Sequence, residues 1–145
     1  MRNLWAILSL VAAGCIPSDG AYRDPADALS DGRIRMAMGE YDSAAQAFTF
    51  ATLRTPDDAI AQGYLGEALY RAGRLRQAEP HLRRAVEIDP ELVPAWNNLG
   101  LVLLDTGRER EAERVLRRAY ALDSGRTDAI RMNLERAMEE VGEGV

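Results

Sequence analysis

From residue 25 onward, apolar residues return at three- and four-residue steps, with no two-residue alternation; this is the period of helices that each bury one face. The clearest stretch predicts a first helix near 58–72, with Leu65 and Leu69 on its apolar side. A second follows near 75–88, with Ala78, Leu82 and Ala85 inward. Gly73 stands where a left-handed residue ends the first helix. Asp89-Pro90 ends the second, because the residue before a proline avoids the α region. Pro94 falls in the first turn of the following helix, where a missing N–H costs nothing. Pro80 lies about one turn into its helix and is expected to bend it or displace its start. A last helix is predicted from Asp128 to about Glu140, capped by Thr127. There Ile130, Leu134, Ala137, Met138 and Val141 recur at helical spacing, and Arg136, Glu139 and Glu140 make a polar outer face.

The pattern repeats every 34 residues: Gly32, Gly66 and Gly100; Gly39, Gly73 and Gly107; Ala44, Ala78 and Ala112; Phe48, Leu82 and Leu116. Segments 59–92 and 93–126 are identical at 14 of 34 positions. Trp96-x2-Leu99-Gly100-x2-Leu103, then Ala112-x3-Leu116, and Pro90 in the unit before, resemble the tetratricopeptide signature of that same period. The first unit departs from it at Asp31 and Arg35 but keeps Ala44, Phe48, Ala51 and Pro56. The resemblance implies an all-α chain, an α-solenoid of about three tetratricopeptide hairpins (25–58, 59–92, 93–126) closed by a capping helix over 127–141. One hairpin cannot bury its apolar face alone, so stacked neighbours complete the core.

The N-terminus reads as a processing segment. Met1-Arg2-Asn3 is a short positive start, Leu4 to Val11 is apolar, and Ala12-Ala13-Gly14 are small, the three parts of a secretory signal over 1–14. The apolar run is shorter than the roughly 20 residues that span a bilayer. Cys15 follows directly, and Ala13-Gly14-Cys15 resembles a bacterial lipobox, although Ala12 stands where leucine is usual. The resemblance implies a lipid on Cys15 and a flexible tether over 15–24, rich in Pro, Gly, Ser and Asp. Ile16 after the cysteine points, by the same resemblance, to the outer membrane and a periplasm-facing domain.

Composition removes several chemistries. The net charge is −5, which disfavours a nucleic-acid partner. One cysteine and one histidine, His81, supply neither an internal disulfide nor a dedicated metal site. All 18 basic residues are arginine, so lysine-based catalysis is excluded. No serine lies in a triad-like context. No enzyme activity and no cofactor are expected. The arginines from Arg71 to Arg118 read as a solvated face paired with Glu79, Glu87, Glu109, Glu111 and Glu113.

In the tetratricopeptide family the first helix of each hairpin lines a concave face. The resemblance puts Leu29, Arg33 and Met36 of the first unit there. The second adds Ile60, Gly63, Glu67 and Tyr70, the third Asn97, Leu101 and Leu104, and the last helix Arg131 and Glu135. Such a strip suits an apolar peptide or an amphipathic helix. Asn98 resembles the asparagine of the family's carboxylate clamp, but Leu29 and Asn97 stand where its lysines would be. The expected partner is a protein or peptide, with the membrane reached through the lipid, in pilus or secretion assembly at the bacterial envelope. Two alternatives stay open at this point: docking of cell-wall enzymes, and self-association into a homo-oligomer.

Overall fold

The protein is described by a computed structural model that covers residues 22–143. The signal segment, Cys15 and the tether as far as Ala21 lie outside the described residues. Among those described are seven helices and no strand: α1 (Pro25–Met38), α2 (Tyr41–Arg54), α3 (Ala59–Arg71), α4 (Leu75–Ile88), α5 (Val93–Asp105), α6 (Glu109–Asp123) and α7 (Asp128–Glu143). Each helix packs on the next in sequence, and α5 also packs on α3 and α7. The expected α-solenoid is what forms: three hairpins, stacked, with α7 closing the end.

Two glycine series serve two physical needs. Gly39, Gly73 and Gly107 have φ of 77°, 75° and 72°, and the backbone turns there from one helix of a hairpin to the other. Nothing lies within 4 Å of a side chain built on Gly73, so conformation alone demands glycine. Gly32, Gly66 and Gly100 are helical and need closeness. A methyl group on each would collide with Phe48, Leu82 and Leu116 respectively. Those three large side chains are fully buried, one per hairpin. Burying each contributes about 1.5–3 kcal/mol. The main core runs from Ala44 to Ala137 without a break, and Phe48 stacks on Tyr64 with centroids 5.3 Å apart.

Pro80 sits inside α4 and does not displace its start from Leu75. Thr127 stands at the start of α7, its carbonyl accepting from Ile130 N at 3.1 Å and Arg131 N at 3.2 Å. Its hydroxyl donates to Asp123 Oδ1 at 3.0 Å and its N–H donates to Asp123 Oδ2 at 2.6 Å, which ties the start of α7 to the end of α6.

The arginine face is paired in part as expected, Arg83 with Glu79, Arg84 with Glu87, Arg108 with Glu111 and Arg117 with Glu113. Arg83 donates to Glu79 at 2.9 Å and to Glu111 at 2.6 Å, and Arg108 reaches Glu79 at 2.7 Å and Glu111 at 2.5 Å. This ring of four ties α4 to α6. Burial works to raise the Glu79 pKa, but the bonds from Arg108 and Arg83 outweigh it and hold the carboxyl below its ordinary 4.5. The Arg83 bond does the same for Glu111 against a smaller burial effect. A carboxyl whose folded pKa is depressed stabilises fully above its ordinary value and loses that contribution as pH falls through the folded value. Wild-type protein should therefore lose stability below about pH 4.5 more steeply than a Glu79→Gln/Glu111→Gln variant. Urea midpoints followed by circular dichroism across that range would show parallel acid limbs if the ring is not involved.

Candidate functional site

The first helices α3 and α5 pack side by side with α7 to form one side of the array, and α1 joins α3 through the small apolar cluster of Ala28, Ala51 and Ala61. Polar bonds stitch that side. Tyr70 of α3 donates to Asp105 of α5 at 3.0 Å, Arg136 of α7 donates to the same carboxylate at 3.2 Å, and Asn133 of α7 donates to Asn97 of α5 at 2.9 Å. Burial first, and then the bond to Asp105, raises the Tyr70 pKa and keeps the phenol protonated as donor.

The expected groove residues divide under this geometry. Ile60, Gly63 and Glu67 converge on a small open pocket of about 160 Å³ between α3 and α5. Tyr70 and Asn97 are held in the inter-helix bonds just given. Leu29 and Met36 are partly buried against the core, Leu101 is half-exposed and Arg33 is exposed. Arg131 bonds Glu135 at 3.0 Å and Asp128 at 2.8 Å, on the outer turn of α7. Leu104 is the exception: it is buried, at 4% exposure, because α7 packs on α5 there and turns it into core.

Five further residues complete the pocket: Tyr64, Leu92, Pro94, Ala95 and Asn98. Leu92 is the informative one. It occupies the N-cap of α5 with no side-chain capping bond. Its counterpart one repeat earlier, Asp58, caps α3 by accepting from Ile60 N at 2.9 Å and Ala61 N at 3.1 Å. An apolar N-cap gives up about 1 kcal/mol against aspartate. In exchange the Leu92 side chain closes one wall of the pocket, 3.5 Å from where a Cβ on Gly63 would lie. Trp96 secures the loop by donating to the Pro90 carbonyl at 2.9 Å. The break in the repeat, leucine where aspartate stood, is a signal readable in the sequence. The pocket offers an apolar seat (Ile60, Tyr64, Leu92, Ala95) with two polar handles, Glu67 and Asn98.

His81 sits on α4, half-buried, with Nδ1 2.8 Å from Gln62 Oε1. Gln62 Nε2 donates to the Pro56 carbonyl at 3.0 Å. Burial lowers the His81 pKa, and the ring serves to fasten α4 to α3.

Two family models, both described as tetratricopeptide repeat, match residues 29–93 and 69–129. No curated protein matches the chain. Among solved structures it is similar to the tetratricopeptide domain of Sgt2 from Aspergillus fumigatus (23% identity, TM-score 0.79, 90% of this chain and 87% of that one). It is also similar to the first tetratricopeptide domain of Spaghetti (RPAP3) bound to the HSP90 peptide SRMEEVD (17%, 0.78, 83% and 94%). A third is the TPR2B domain of yeast Sti1 in a complex with pHsp70 (20%, 0.74, 80% and 97%).

Proposed function

Since the chain belongs to the tetratricopeptide repeat family, we propose that it is a scaffold that binds a polypeptide along the side formed by α1, α3, α5 and α7. The observation that carries this reading is the pocket between α3 and α5, where Leu92 gives up a helix cap to supply an apolar wall. Proteins break local rules of this kind where a site needs the residue. One similar structure holds a peptide and another is a complex with pHsp70, which supports the same class of partner. The ligand differs from a C-terminal carboxylate, since Leu29 and Asn97 leave this face without clamp lysines. An apolar side chain of an extended segment or amphipathic helix fits between Ile60 and Leu92, with Asn98 placed to bond its backbone and Glu67 to favour a neighbouring cation.

We further propose that the domain works at the bacterial envelope, anchored by a lipid on Cys15, in the assembly of a pilus or secretion channel. The signal-like start and the small residues before the single cysteine support this. Cys15→Ala should move the protein from the membrane to the soluble fraction and abolish acyl labelling; unchanged fractionation and labelling would refute the anchor. Crosslinking in cells should recover a defined polypeptide with the wild-type domain and lose it when the α3–α5 pocket is altered.

A further inference from the structure

The opposite side of the array carries a second, larger opening, independent of the reading above. The ring Glu79–Arg83–Arg108–Glu111 closes the junction of α4 with α6. One repeat earlier the sequence supplies Ala45 and Thr49 in place of Glu79 and Arg83. No equivalent ring forms, and a trough of about 850 Å³ lies between α2 and α4. Leu65 and Leu69 lie along its bottom, Phe50 and Pro80 line it, and Leu53 stands 77% exposed. Among the described residues its charged lining is Arg74, which Asp42 pairs at 3.3 Å, and Arg76. In a chain of net charge −5, Arg76 is the positive charge left to meet an acidic, partly apolar occupant.

The chain itself carries such a surface. The outer side of α7 presents Met132 and Met138, 60% and 45% exposed, beside Glu135, which Arg131 pairs at 3.0 Å, and the exposed Glu139. Met132, Glu135 and Glu139 follow the three- and four-residue steps of one helical stripe. Both surfaces also run against their own helix dipoles. Arg76 lies in the first turn of α4, which has no acidic residue, and α7 has no basic residue in its last turn. Charges set against the local field have a use elsewhere.

We propose that the trough between α2 and α4 docks α7 of a second copy of this chain. Two different surfaces meet, so the contact is heterologous and each copy can both give and receive; association then grows by chain addition rather than stopping at a symmetric pair. The attraction is between exposed charges, so salt weakens it.

Sedimentation of the full chain should show mass rising with concentration and falling with added salt. Arg76→Glu and Glu139→Arg should each weaken association at least about tenfold. Neither should lower the melting temperature, because each places a charge the helix end favours. Leu53→Glu should weaken association similarly while leaving the melt in place. The decisive arm is an equimolar mixture of Arg76→Glu and Glu139→Arg chains. Every junction between unlike chains in that mixture then pairs opposite charges, and association should return. A monomer at all concentrations, association indifferent to the reversals, or a mixture that fails to recover would each overturn the proposal. Indifference would point instead to residues 1–21 or another surface as the source of any association.

Discussion

Truncating Leu82 to alanine should cost the array about 2–5 kcal/mol, the range for removing a large aliphatic side chain from a fully enclosed site. Leu82 lies against Gly66, so closely that a methyl group on Gly66 would overlap it. Gly66→Ala alone should therefore cost about 1–3 kcal/mol by overpacking. Together the two changes should cost clearly less than their sum, because the truncated side chain makes room for the added methyl. Urea unfolding of the four proteins would give the coupling directly. Simple additivity would mean that the helices do not approach through this contact. The same pairing recurs at Gly32 with Phe48 and at Gly100 with Leu116, so the result speaks for how every hairpin closes.

Placing a charge in the α3–α5 pocket should remove most partner binding while leaving the fold in place. Ile60 is 54% exposed, so Ile60→Glu exposes no core and should change stability by less than about 0.5 kcal/mol. A carboxylate there would meet the apolar part of the ligand unpaired and share the pocket with Glu67, a penalty of roughly 1–3 kcal/mol, or about fivefold to 150-fold in affinity. Leu92→Asp makes the same point from the other wall. It restores the cap that Asp58 provides one repeat earlier, a gain of about 1 kcal/mol, against a comparable loss of partly buried apolar surface. Stability should barely move and capture should fall. Capture by affinity-tagged wild-type and variant chains, alongside thermal melts, separates the two effects.

Most of the fold was legible because it is periodic. The 34-residue recurrence of Gly66 and Leu82 encodes the helix crossing itself, and Gly73 encodes the turn by its conformation, so residue type alone located both. The candidate site was legible in part. The helical register picked out Ile60, Gly63 and Glu67, which the fold does bring together. Register alone could not supply Leu92 and Pro94, which belong to a loop and the start of the next helix. Nor could it show that α7 would bury Leu104, since that depends on how a non-repeating helix packs. The trough between α2 and α4 was the least visible feature, because it arises from what Ala45 and Thr49 fail to supply rather than from a motif.

The central claim is that the side formed by the first helices of the hairpins holds a polypeptide. A photoreactive amino acid placed at position 60, with a second chain carrying it at Arg118 on the other helix layer, tests this in living cells. The account predicts one discrete crosslinked polypeptide from position 60, lost on adding Leu92→Asp, and no such product from position 118. Crosslinks from 118 alone, or a product at 60 that survives Leu92→Asp, would contradict it.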